Sequence, residues 1–175
     1  SAACAQYATL RTLCRVPIQF GNVALWPLQH ETAALLGSGD AAAARRIWRR
    51  ATLWSLVGAC IASAALWGAG PWLFALWTHG ALAWDGATAA LLAAGAVGQC
   101  LWGALAIPCI AGNRHAGLAI AGVVAGLATL ALLALVLTMM PRIGVAAALT
   151  AAVDLALCAA AFGASRRTLA AGSLR

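Results

Sequence analysis

The chain has 175 residues, of which 64% are hydrophobic and only 9% are charged, and its formal net charge is +7. Soluble chains carry about 25% charged residues, so this composition excludes an ordinary soluble domain and predicts an all-α integral membrane protein. All the basic residues are arginines, and they fall in short clusters between apolar runs. That distribution is typical of membrane topology, and we expect the lipid bilayer, not nucleic acid, as the partner.

The apolar runs predict a single transmembrane domain, residues 1–175, with about five spans. A helix crosses the bilayer with about 20 apolar residues. The segment GSGD (37–40) predicts the end of one helix and an N-cap at Asp40 for the next. The predicted spans are 3–36, 51–77, 86–111, 116–139 and 143–165.

The first span carries a polar stripe. At about 100° per residue, most polar side chains between residues 7 and 29 fall on one face, over a length of about 33 Å. Pro17 and Pro27 are expected to bend this helix without breaking it. The candidate substrate-cavity residues on this face are Tyr7, Arg11, Arg15, Gln19, Asn22 and Gln29.

Two interpretations of the arginines remain open. Arg11 and Arg15 either line a wet cavity that attracts an anion, or extend to the outer headgroups. Amides as deep as Asn22 cannot reach the headgroups, which favours the cavity.

Two acids are candidates for ion coupling. Asp154 lies within the last span, where it either binds a proton or cation or is protonated or paired. Glu31 either pairs with the Arg45–Arg50 cluster, gates a cavity or is an interfacial acid.

The arginine distribution orients the spans. With segment 37–50 inside, the connections alternate and the carboxyl terminus is cytoplasmic. Only Arg142 then lies outside, and the first helix enters from outside. The arginines assigned to the inside are Arg45, Arg46, Arg49, Arg50, Arg114, Arg166, Arg167 and Arg175.

Gly122 and Gly126 form a G-x-x-x-G pattern that permits close helix approach.

The sequence predicts no enzyme, metal site or cofactor. The six cysteines show no C-x-x-C and no metal-ligand spacing, and they lie mostly in apolar runs where Cys packs as a small hydrophobe. The three histidines are spread along the chain. No nucleophile–base pair or phosphate-binding loop is present, since GSGD lacks the P-loop spacing.

Segment PLQHETAALLGSGDAAAARRIWRRA (27–51) resembles the polysaccharide flippases of the MOP superfamily, the Wzx-like exporters of lipid-linked O-antigen. The residues that carry the resemblance include Pro27, Glu31, Asp40 and the arginines that follow. Segments AIPCIAGNRHAGLAI (106–120) and PRIGVAAALTAAVDLAL (141–157) are also similar. The family has two helix bundles that move around a central cavity, and this chain would match the five helices at the carboxyl end.

The resemblance implies a transporter in the cytoplasmic membrane that moves a lipid-linked oligosaccharide by alternating access. Arg11 and Arg15 would bind the pyrophosphate or acidic sugars of an anionic lipid-linked sugar, and the missing N-terminal bundle would be a required partner. Because the chain begins with Ser, we expect a fragment of a longer protein. The alternatives are a MATE-like multidrug exporter, which favours cavity carboxylates over arginines, and a non-transporting scaffold subunit without a wet cavity.

Overall fold

The fold is a bundle of long helices. The computed structural model describes residues 2–139 and 143–172, which form five α-helices and no strand. The predicted all-α class is therefore confirmed. Arg142 and Arg175, which were assigned to opposite sides of the membrane, lie outside the described residues. The helices are α1 (Ala2–Gly37), α2 (Ala41–Thr78), α3 (Gly86–Ala111), α4 (Ala116–Met139) and α5 (Ile143–Gly172).

Four of these helices, α2 to α5, are long and apolar enough to cross a membrane. The first helix does not meet the same hydropathy criterion, because its arginine and amide side chains interrupt the apolar run. It is nevertheless a continuous helix of 36 residues through both Pro17 and Pro27. Helix α1 also packs against α2, α3 and α5, which shields part of its surface. That α1 spans the membrane stays a prediction.

Aspartate side chains cap two of the helices. Asp40 accepts a hydrogen bond from the Ala43 backbone N–H at 2.8 Å, which confirms the predicted N-cap of α2. Gly39 precedes it with φ +82°, a conformation that glycine adopts without strain. Asp85 caps α3 and accepts hydrogen bonds from the Thr88 hydroxyl at 2.6 Å and the Thr88 N–H at 3.1 Å. These bonds lower the pKa of the Asp85 carboxyl.

Helix α3 is the centre of the bundle, since it packs against α1, α2 and α5. It approaches α5 closely. A Cβ added at Gly98 would lie only 3.3 Å from Cβ of Asp154. Gly122 and Gly126, whose spacing permits such an approach, do not contact another helix among the described residues. Apart from the adjoining backbone of α4 itself, no described atom lies within 4 Å of a Cβ built at either position. Among the described helices, α4 contacts only α5.

Candidate functional site

A cavity of about 590 Å³ lies between α1, α3, α4 and α5. It exists because α4 packs against α5 alone and does not close onto α1 or α3. Its position is therefore set by how the helices pack along their length, and no loop among the described residues lines it. A volume of this size is in the range of small-molecule binding sites.

One wall of the cavity is polar and charged. Helix α1 contributes Tyr7, Arg11 and Arg15, and α5 contributes Asp154. Both arginines lie close enough to Asp154 for their charges to interact with its carboxylate. Both are also exposed rather than packed into the bundle. The structure thus brings the arginine pair and one of the two predicted ion-coupling acids into a single site.

Helix α3 holds the Asp154 carboxylate in place. The side-chain amide of Gln99 donates to both carboxylate oxygens, at 3.2 and 3.3 Å. Gly95 leaves the space for it, since an added Cβ there would lie 3.1 Å from Oδ2 of Asp154. The sequence reasoning missed Gln99. The available signal was that Gln99 is the only amide in the apolar run 86–111.

The wall formed by α4 is largely apolar, with Thr129 as its polar side chain. Val123, Leu127 and Leu130 line the cavity and keep 63%, 63% and 65% of their surface exposed. Gly122 and Gly126 lie on the same wall, where the missing side chains widen the cavity. The site is therefore amphipathic: guanidinium groups stand on one side and an aliphatic surface on the other. Such a site suits a ligand that has an anionic part joined to an apolar part.

The cavity covers only the first half of the α1 polar stripe. Beyond Ile18, the bundle interior is filled by packed side chains from α1, α2 and α3. Gln19, Asn22 and Gln29 do not line the cavity; Gln19 and Asn22 are exposed, and Asn22 lies beside Gly103 of α3. The cavity therefore accounts for only part of the predicted stripe, and a role for the remaining amides in substrate binding stays a prediction. The filling residues form two clusters, Ile18, Ala59, Ala96 and Cys100, and Leu25, Ala51, Ala104 and Ile107.

Glu31 lies apart from Asp154. It lines a second cavity of about 570 Å³ between α1 and α2, together with Arg50. The two acids proposed for ion coupling are therefore in different places, and only Asp154 shares a cavity with the arginine pair. Within the described ranges, no group of three His, Cys, Asp or Glu side chains could hold a metal ion.

No protein family, characterised relative or solved structure matches this chain. What the fold establishes is an all-α membrane protein with apolar helices long enough to span a bilayer.

Proposed function

We propose that this chain is part of a membrane transporter, a flippase that moves a lipid-linked oligosaccharide precursor across the cytoplasmic membrane by alternating access. The observation that supports the proposal is the amphipathic cavity, in which Arg11 and Arg15 face the aliphatic wall of α4. An anionic head would bind the arginines, and the apolar carrier would lie along α4 or in the adjoining lipid.

The charge of the cavity favours an anion. Its lining includes two arginines and one aspartate, so the ionised side chains sum to +1. An arginine facing lipid costs at least about 2.5–3.5 kcal/mol, and two such charges persist more easily beside an anionic partner. The planar guanidinium forms paired hydrogen bonds with phosphate oxygens, which makes a diphosphate group a suitable ligand. A MATE-like exporter of cations would need the opposite balance.

Asp154 is the internal counter-charge of the site. Its carboxylate shares the cavity with both arginines, so it would compete with an anionic substrate for them. Protonation of Asp154 would strengthen the hold on an anion, and ionisation would weaken it. Asp154 is therefore the residue through which an ion gradient would act. Alternating access requires a second bundle, and the proposal includes one as a partner.

The experiment measures binding of a short-chain isoprenyl diphosphate sugar to the chain in detergent, by isothermal titration calorimetry. A hydrogen bond to a charged group contributes about 1.5–3 kcal/mol, so Arg11→Gln and Arg15→Gln should each weaken binding about 10-fold or more. Asp154→Asn should strengthen it, because the competing charge is removed. Arg114→Gln, in the turn between α3 and α4, is the control with the same charge change.

Each alternative gives a different result. If both arginine variants bind as the unmodified chain does, the arginines serve the headgroups and not a substrate. If a lipophilic cation binds more tightly than the diphosphate and Asp154→Asn abolishes that binding, the exporter of cations is supported. A scaffold subunit would bind neither probe.

A further inference from the structure

A separate basic pocket lies where α2 begins and α5 ends. Arg45 and Arg49 of α2 and Arg166 of α5 line it, and its volume is about 330 Å³. None of the described residues that line it is acidic. Three guanidinium groups around one small space repel one another, and an anion between them would relieve that repulsion.

The pocket has a fixed aromatic base. Trp48 is only 7% exposed, and its ring stacks on Phe162 with centroids 5.8 Å apart. The Cζ atom of Arg166 lies 5.7 Å from the centroid of the Phe162 ring, on the scale of a cation–π contact. Leu169 of α5 is fully buried beside them. Because this base joins α2 to α5, it keeps Arg166 near the two arginines of α2.

The pocket lies at the edge of the apolar segments. The run without charges on α2 begins at Ala51, directly after the basic cluster, and on α5 it ends at Ser165, directly before Arg166. Phe162, one turn earlier, is 45% exposed. The guanidinium groups are therefore at the depth of lipid headgroups, next to an aromatic ring that can contact acyl chains.

We propose that this pocket binds the phosphate headgroup of an anionic phospholipid. Basic pockets between transmembrane helices bind diphosphatidylglycerol-type and other anionic headgroups, and arginine gives the paired hydrogen bonds that phosphate accepts. Three guanidinium groups match a headgroup with two phosphate charges better than one with a single charge. The bound lipid would connect α2 and α5 and would hold the arginine-rich end of the bundle together.

The test compares two double variants with the same change in net charge. Arg49→Gln/Arg166→Gln removes two pocket arginines, and Arg114→Gln/Arg167→Gln removes two exposed arginines that do not line the pocket. Each protein is purified in detergent and titrated with diphosphatidylglycerol, phosphatidylglycerol or phosphatidylcholine. Native mass spectrometry counts the retained lipids. Glycerol 3-phosphate, a soluble phosphate without acyl chains, is the fourth ligand.

We expect selective retention of diphosphatidylglycerol, with affinity about 25-fold weaker in the pocket variant, since each arginine near a membrane surface contributes about fivefold. The control variant should retain the lipid. Equal loss in both variants would mean that total charge, not this pocket, holds the lipid, and would overturn the proposal. Glycerol 3-phosphate competing at equal concentration would also overturn it in favour of a free phosphate.

The measurement does not depend on the pocket variant being fully stable. Thermal unfolding without added lipid identifies any loss of fold, and in that case the single variant Arg166→Gln replaces the double one. Its expected loss of affinity is about fivefold. Unchanged lipid retention by a folded Arg166→Gln protein would overturn the proposal.

Discussion

Replacing Gly98 by leucine should destabilise the bundle, because Gly98 lies where α3 packs closely against α5. A Cβ there would lie 3.3 Å from Cβ of Asp154, 3.6 Å from the Asp154 carbonyl carbon and 3.7 Å from Leu155. The 3.3 Å separation is tighter than an ordinary carbon–carbon contact, so the Cβ alone requires Asp154 to shift, and the other two separations are normal contacts that leave no gap beside it. Gly122→Leu is the matched control, since no described atom outside the adjoining backbone of α4 lies within 4 Å of a Cβ at that position.

The expected cost follows from overpacking. Forcing additional carbons into a packed interior costs about 1–3 kcal/mol, and leucine adds four carbons beside Asp154, which places Gly98→Leu near the upper limit, at about 2–3 kcal/mol. In a chain of this size, that corresponds to a melting temperature lower by about 5–10 °C. Gly122→Leu should shift the melting temperature by about 1 °C or less, within the range of surface substitutions.

The assay uses the native cysteines. Four cysteines are buried, so a thiol-reactive fluorophore reports unfolding in detergent as the temperature rises. Gly122→Leu should in addition weaken binding of the diphosphate probe, because its side chain enters the cavity. Equal melting temperatures for the two variants would refute the assigned contact between α3 and α5. A large loss of stability in Gly122→Leu would refute the open space beside α4. The buried thiols are Cys14, Cys100, Cys109 and Cys158.

Three further predictions concern stability and orientation. Asp85→Ala should cost about 0.5–2 kcal/mol through loss of the α3 cap. Hydrogen bonds from Thr88 lower the folded-state pKa of Asp85. The stability that Asp85 contributes should therefore be present above the ordinary aspartate pKa of about 3.9 and be lost as the pH falls through the lower folded-state pKa. Calorimetric melting of Asp85→Asn should lack this pH dependence. Leu10→Ala should cost about 2–5 kcal/mol in denaturant titrations, since Leu10 is fully buried, and a loss below about 0.5 kcal/mol would contradict that packing. For orientation, Arg46→Cys in a cysteine-free chain should react with an impermeant maleimide only from the cytoplasmic side, and labelling of intact cells would contradict it.

The helices could be predicted from the sequence because long apolar runs and short polar turns determine them locally. The structure places α3 at Gly86–Ala111 and α4 at Ala116–Met139, the same bounds as the predicted spans. Helices α2 and α5 extend further than their predicted spans, because the arginine-bearing segments beside the apolar runs are also helical. The N-cap at Asp40 could also be predicted, because capping depends only on residues that are adjacent in the sequence.

The shape of the site could not be predicted in the same way. A helical wheel shows which residues of α1 share a face, but it does not show which neighbour covers that face at each depth. Arg11 and Arg15 line an open cavity, whereas Asn22 lies beside α3. The hydrogen bond between Gln99 and Asp154 joins residues 55 positions apart and depends on how α3 and α5 pack. Sequence spacing carries no information about that pairing.

The single interface of α4 gives the cavity two walls of unequal stiffness. Helices α1 and α3 are each fixed by several neighbours, whereas α4 is held in the described structure by α5 alone. The width of the cavity therefore depends on one helix–helix contact, and a force on α4 is resisted only there. A bulky ligand would be accommodated by tilting α4 about that contact, with the arginine wall staying in place. The charged wall of the cavity therefore keeps its position, whereas the aliphatic wall can move to fit ligands of different width.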